Sequence, residues 1–436
     1  MSEINTSAPG SKGVVVRGRW QRNLMTFLMV FGPGLIVMEA DNDAGAVSTY
    51  VQAGAQYGTT LLWLMFLLLP ITYFIQEMVA RLGIATGQGH AAMIFKRFGR
   101  WWGIFSLFDL LLVNFLTLVT EFAAISLAFS AMGVSPYKAV PIAAGMLIAM
   151  VLTGSYRRWE RITIFFCLLD VIWFGLAWAT QTNTGVVIRD TLIPQVPPGG
   201  VTPDLVFLVI GIVGTTIAPW QLFFQQSCVA DKKLRFSDLK WARLDTFIGA
   251  CFTVLVGGAM MLVGNLGFVH HIDFTDPAQL AGALKPFLGN GGRIAILLLM
   301  CNAAILGATA ISLASAWAWS EVVGWTHSLQ RSPLKSPGFY AVYALCTCAA
   351  AGVVLIPGAP LQLIIVGVQV LAGVILPSAV IFLQLLLNDR ELLGDEFVNK
   401  PWNNVINWTV IVVLFILSLV LAAQVLAPEL FPKTTS

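Results

Sequence analysis

Charge is what this sequence has least of. Only 11% of its 436 residues are Asp, Glu, Lys or Arg, against 57% hydrophobic. Soluble domains run nearer a quarter charged, so a soluble fold is excluded. No stretch is long enough for a separate soluble domain; the longest without a convincing span is roughly 181–203. Histidine is scarce. His90, His270, His271 and His327 all fall in predicted loops, which leaves no imidazole at membrane depth to relay protons. The six cysteines (Cys167, Cys228, Cys251, Cys301, Cys346 and Cys348) lie in or beside apolar segments and lack metal-ligand spacing. They read as packing residues, and no disulfide is expected. No short apolar region followed by a cleavage site is found, so no signal peptide is expected. No nucleophile–base pair or metal-ligand cluster marks an enzyme. The net charge of +3 singles out neither a nucleic acid nor an obligate protein partner.

What the chain does have is apolar runs. A span needs roughly 20 apolar residues, and eleven candidates meet this: 23–55, 58–84, 101–132, 137–154, 159–180, 204–229, 243–269, 288–325, 338–356, 361–388 and 404–428. The lipid bilayer is therefore one expected partner. With the N-terminus inside, the inner segments hold 20 of the 25 Lys and Arg residues. Only Lys138, Arg189, Lys285, Arg293 and Lys433 fall outside. That bias orients the chain N-in and C-out. It is read as an integral protein of a prokaryotic cytoplasmic membrane. Trp101, Trp102 and Trp402 near span ends suit interface anchoring.

The first span carries Glu39, Asp41 and Asp43, with Gly45 just after them. Carboxylates at membrane depth are costly and rarely face lipid. A hydrophobic segment broken around 41–45 with buried carboxylates is a place to bind a cation; the bland alternative is a loop between two short helices. The sixth span carries Gly211, Gly214 and Pro219. Pro219 removes a helix hydrogen bond, and the glycines loosen the turns before it. Breaks five spans apart reverse topology between halves. The expected fold is all-α, with about 11 transmembrane helices and an inverted 5+5 repeat in which helices 1 and 6 are discontinuous. Residues 1–22 form an N-terminal tail. Residues 23–388 form the core, with repeat one at about 23–180 and repeat two at about 204–388. The helix at 404–428 is peripheral. A substrate site then lies at mid-membrane between the breaks.

Asp43 sits at the first break, close to unwound carbonyls near Ala40. The second break offers the carbonyls of Thr215 or Thr216. Gln369, in the tenth span, adds an amide oxygen, or else makes an interhelical hydrogen bond. Together these form a hard, oxygen-only site. Glu121, in the third span, lines a pathway or pairs within the bundle. Asp109, Asp170 and Glu321 read as structural or interfacial, and Glu77 with Arg81 as an i,i+4 pair.

At these residues the chain resembles the Nramp family of divalent metal transporters, whose fold is the inverted repeat shared with amino-acid transporters (the LeuT-like fold). The resemblance runs from about Met25 to Arg390. The family's Asp-Pro-Gly-Asn stands here as Asp43-Ala44-Gly45-Ala46, and its Gly-Ala-Thr-Val-Met-Pro-His-Asn as Gly214-Thr-Thr-Ile-Ala-Pro-Trp-Gln221. Gln369, Leu376, Pro377 and Ala379 keep the tenth-span pattern, and Gln76 to Gly87 the end of the second.

The resemblance implies a metal site of Asp43, Ala40, Ala46, Thr215, Ala218 and Gln369. Asp41, Asn42, Glu121, Trp220 and Gln221 are placed along the pathway or around the ligands. The departures carry information. Ala46 replaces an Asn ligand, and Ala218 replaces the one soft Met ligand. A wide oxygen-only site suits a partly hydrated Mg2+, which gives up its waters reluctantly; alternatively, the two alanines simply pack helices closely. Trp220 replaces a His, Ala124 replaces the second acid of the third span, and the ninth span lacks the family's basic pair. The chain thus looks like the magnesium-transporting branch of Nramp relatives, without proton coupling. No cofactor is expected; Mg2+ or Mn2+ enters as substrate. The rival readings are a proton-coupled Mn2+/Fe2+ importer of the same fold and a sodium-coupled carrier of organic solutes.

Overall fold

The structure is a computed structural model describing residues 19–426. Most of the expected tail, with Lys12 and Arg17, the last two residues of the expected span 404–428, and Lys433 lie outside the described residues. In the first half, α1 (Arg19–Val30), α2 (Pro33–Glu39) and α3 (Ala44–Tyr57) are followed by α4 (Leu62–Thr86), α5 (His90–Phe98) and α6 (Arg100–Ala131). Then come α7 (Pro136–Val151), α8 (Tyr156–Leu169), α9 (Ile172–Ala179) and the short α10 (Thr184–Leu192). The second half runs through α11 (Pro203–Thr216), α12 (Pro219–Lys232), α13 (Leu239–Val269), α14 (Pro277–Ala283), α15 (Lys285–Val323), α16 (Pro337–Val354) and α17 (Leu361–Leu387). The surface α18 (Arg390–Phe397) leads into α19 (Pro401–Leu426). Among the described residues, eight spans are long and apolar enough to cross a membrane, counting α8–α9 and α11–α12 each as one. Shorter apolar helices stand at α7 and α19, and α2–α3 make the broken first span.

The first break covers residues 40–43 rather than 41–45. Asp43 is the N-cap of α3, its Oδ1 accepting the Ala46 N–H at 2.9 Å. An Asp cap starts the helix at once, so Gly45 already lies in its first turn. The glycine is needed for packing, because a Cβ there would overlap the Gln369 side chain. At the second break α11 ends at Thr216, and Pro219 opens α12, the position where a missing N–H costs least. Gly211 and Gly214 stay helical. Gly214 instead lets α11 approach α17, with Gly373 Cα 2.9 Å from where its Cβ would stand. A third break, not expected from the sequence, splits the fifth span at Asp170–Val171.

Helix α13 holds the broken first span in place. Its Gly249, Gly257 and Gly264 meet the Gly34 carbonyl, the Tyr50 ring and the Ala55 N–H, each within 3.0 Å of an added Cβ. Small residues permit such close backbone approach inside a membrane. The buried Asp245 carboxylate accepts from the N–H groups of Gly32 (3.2 Å), Gly34 (2.7 Å) and Leu35 (3.2 Å). Eight residues along, the Thr253 hydroxyl stands 2.6 Å from the Met38 carbonyl and 2.9 Å from Glu39 Oε1. One helix therefore grips both ends of α2.

His90 is not in a loop. It is the first residue of α5, fully buried, and its Nδ1 lies 2.8 Å from Gln226 Oε1. Glu77 pairs with Arg81 at 3.3 Å as the i,i+4 spacing indicated, and also with Arg243 at 2.8 Å. The six cysteines are free.

Asp245→Ala leaves three buried N–H groups without an acceptor. It should cost about 3 kcal/mol or more, given ~1–3 kcal/mol per orphaned group, and lower the melting temperature of the purified protein by several degrees. Asp245→Asn, which keeps an acceptor oxygen, should lose less. Thermal unfolding of the two variants beside the parent checks both the sign and the ranking.

Candidate metal centre

Asp43, Thr215, Ala218 and Gln369 are each at most 3% exposed; Thr215 and Gln369 lie by the first break, against Asp43 and Gly45, while Ala218 stands at the second break. Two backbone carbonyls at the breaks lack their usual helical donors. In an unbroken helix the Ala40 carbonyl would accept from the N–H of Ala44, but that N–H donates to Glu121 Oε2 at 3.1 Å. The Thr215 carbonyl would accept from residue 219, which is Pro219 and has no N–H. The Thr215 side chain lies beside the Asp43 carboxylate. Gln369 rests on Gly45, and its Nε2 has no hydrogen-bond partner.

Glu121 belongs to this centre. Its carboxyl touches that of Asp43 as well as the Ala44 N–H. Both groups press on Gly307 of α15, where a Cβ would stand 2.8 Å from Asp43 Cβ and 2.9 Å from Glu121 Cδ. Two carboxyl groups in contact share either a proton or a cation. No Lys or Arg forms an ion pair with either one among the described residues.

The other expected residues form a neighbouring layer. Gln221 Nε2 donates to Asp41 Oδ1. Gln76 Nε2 donates to Gln221 Oε1 at 2.6 Å, extending the chain into α4. Asn42 turns away, its Nδ2 donating to the Thr253 carbonyl at 3.3 Å. Trp220 is fully buried in an aromatic group with Phe224 (6.1 Å between centroids) and, through it, Trp317. Ala46 is buried and supplies its N–H to the Asp43 cap. Ala218 is the extended residue before Pro219. Neither alanine offers a side-chain donor. The geometry leaves hard oxygens from Asp43, Glu121, Gln369 and two carbonyls, and no sulfur among these groups.

Sequence reasoning missed the roles of Gly307 and Gln76. Nothing in the spacing of α15 marks Gly307, since what it contacts is set by tertiary packing. Gln76 was legible only as part of a matching pattern. Glu321 and Asp109 are bonded to Ser227 (2.7 Å) and Ser378 (2.6 Å). Asp170 sits at the unexpected break of the fifth span, hydrogen-bonded to Asn302 at 3.0 Å.

Comparison with known proteins places this geometry in a family. The Nramp family, described as natural resistance-associated macrophage protein-like, matches residues 34–424. A protein of Staphylococcus aureus (strain JH9) named divalent metal cation transporter MntH is 26% identical, covering 92% of each chain. The crystal structure of the Eremococcus coleocola manganese transporter superposes with a TM-score of 0.75 at 18% identity, over 99% of this chain and 94% of that one. The crystal structure of MhsT in complex with L-phenylalanine shares the fold more distantly, with a TM-score of 0.56 at 14% identity over 94% and 99%. The chain is an integral membrane protein with the LeuT-like inverted repeat, and it belongs to the Nramp family.

Proposed function

We propose that this protein carries divalent metal ions by alternating access, that its preferred cargo is partly hydrated Mg2+ with Mn2+ tolerated, and that transport runs without proton coupling. One observation carries the reading. Asp43 is joined by freed carbonyls and the Gln369 amide, while Ala46 and Ala218 withhold the amide and thioether found in the family pattern. Hard oxygen donors and missing side chains suit a small, strongly hydrated ion that keeps several waters. Loss of the thioether removes the preference for softer ions. The names of the relatives support the coarser part, divalent metal transport.

Three absences support uncoupled transport. Trp220 carries no imidazole, Ala124 carries no acid, and α16 (Pro337–Val354) contains no Lys or Arg. An inside-negative potential supplies about 4.6 kcal/mol per 100 mV to a divalent ion, at about 2.3 per charge, so a proton gradient is not needed for uptake. The orientation supporting uptake is N-in and C-out in a prokaryotic cytoplasmic membrane, with repeats at about 23–180 and 204–388. A sodium-coupled organic solute carrier is disfavoured, because Asp43 and Glu121 would repel a substrate carboxylate. A manganese or iron importer of the same fold is the rival reading. Rescue of a magnesium-starved uptake mutant, set against rescue of a manganese-starved one, separates the two.

Asp43→Ala should lower Mg2+ flux into liposomes at least 100-fold while the protein still elutes as a folded species. Flux at the parental rate would remove Asp43 from the site.

Ala46→Asn with Ala218→Met should shift binding towards Mn2+ and Cd2+ by about tenfold or more, one good ligand being worth ~1.4 kcal/mol. Calorimetry of both proteins, after a folding check, reads this directly. Unchanged Mg2+-to-Cd2+ selectivity would show that these positions do not set it.

Metal uptake should not acidify vesicles holding a pH-sensitive dye, whereas a proton-coupled relative in the same vesicles should. Acidification abolished by Glu121→Gln would mean that the Asp43–Glu121 contact passes a proton.

A further inference from the structure

A second group of buried oxygens lies outside the Asp43 centre. Glu39 ends α2, and Asp170 sits at the break between α8 and α9. Both are fully buried, and each lies within the other's electrostatic reach. Asn42 and Asn302 complete the group at 0% and 4% exposure.

The donors here are already committed. Asn302 Nδ2 donates to the Phe166 carbonyl (3.1 Å) and to Asp170 Oδ1 (3.0 Å). Asn42 Nδ2 donates to the Thr253 carbonyl at 3.3 Å, and its amide also faces the Glu39 carboxylate. The Thr253 hydroxyl is shared between the Met38 carbonyl and Glu39 Oε1. Four acceptors are left over: Glu39 Oε2, Asn42 Oδ1, Asp170 Oδ2 and Asn302 Oδ1 have no partner. Among the described residues, no Lys or Arg acts on either carboxylate.

Orphaned buried acceptors are costly, and two unbalanced carboxylates at membrane depth far more so. A cluster with acceptors only is completed by a proton shared between its carboxyl groups or by a positive ion. Two carboxylates and two neutral amide oxygens balance a charge of two, and all are hard donors of the kind Mg2+ or Ca2+ takes.

We propose that Glu39, Asn42, Asp170 and Asn302 form a second cation site, separate from the Asp43 centre, that binds a hard divalent ion. The two sites use different faces of the broken first span. Asp43 meets Glu121 and Gly307, whereas Glu39 meets Thr253 and the Asp170 group. Along α15, Asn302 stands five residues before Gly307, about 7.5 Å at 1.5 Å per residue. An ion there ties α2 to the fifth, seventh and eighth spans. It holds the half-helix whose end carries the Ala40 carbonyl of the first site. The inference does not depend on which ion is transported.

The test uses the purified full chain in lipid nanodiscs, with MgCl2 as the probe. Equilibrium dialysis should find two bound ions per parent chain, one for Asp43→Ala, and none for Asp43→Ala combined with Asp170→Asn. Mg2+ should raise the melting temperature of the Asp43→Ala protein but not of the double variant. Asp170→Asn keeps the oxygen bonded to Asn302, so the fifth-span break is preserved. Glu39→Gln in the same background is the second probe and should give the same loss. One ion on the parent and none on Asp43→Ala would overturn the proposal. So would a double variant that keeps its ion, or equal stabilisation by NaCl at matched ionic strength. Failure of the transport reading would show separately, as Mg2+ flux surviving Asp43→Ala.

Discussion

Inside a bilayer no water is available to a broken helix, so each freed backbone group must find a partner in the protein or in the cargo. That constraint organises this structure. The first N–H groups of α2 end on Asp245. The Ala44 N–H ends on Glu121 and the Ala46 N–H on Asp43. Two backbone acceptors at the breaks lose their helical donors: the Ala40 carbonyl, deprived by Glu121, and the Thr215 carbonyl, deprived by Pro219. These backbone donors end on the protein's own acids and backbone oxygens are left over, an arrangement that suits a cation. Glu121 is thus more than a second acid near the site. By taking the Ala44 N–H it stops the helix from closing across the break.

The charge balance points the same way. Glu39, Asp41, Asp43, Glu121 and Asp170 are all at most 2% exposed. The deeply buried Arg81 is engaged elsewhere, with Glu77 and Asn399. Such an excess of acid in a medium of low dielectric is stable only when protonated or balanced by counter-charge. The excess divides between two faces of the first span, one gathered by Glu121 and α15 and the other by Asp170 and α13. Asp41 lies between them and is held by Gln221.

Much of this was legible in the sequence because membrane physics leaves few options. Apolar runs mark spans, and the matching breaks at Asp43 and Pro219 mark the site. Pro219 was decisive, since its missing N–H has the same effect in any surroundings. Positions set by tertiary contact were not legible. Gly45 was read as part of the first break, yet it is helical, and its lack of a Cβ admits Gln369. The Asp43 side chain starts α3 at Ala44, two residues earlier than a break reaching Gly45 implied. Asp170 read as structural because an acid in one span says nothing of Glu39 in another until both are folded. His90 read as a loop residue because the following short helix, His90–Phe98, has too few turns to stand out as a periodic pattern.

The cap on α2 also has a consequence in time. Gly34 waits for Asp245, which lies 211 residues further along the chain. At synthesis rates of about 5–20 residues per second, that is roughly 10 to 40 seconds. During this interval the N-terminal half-helix has membrane on one side and no acceptor for its first turn. The nascent chain must be sheltered by the insertion machinery or by lipid headgroups until the seventh span arrives. Biogenesis, rather than the folded state, is then the stage at which this architecture is most exposed to failure.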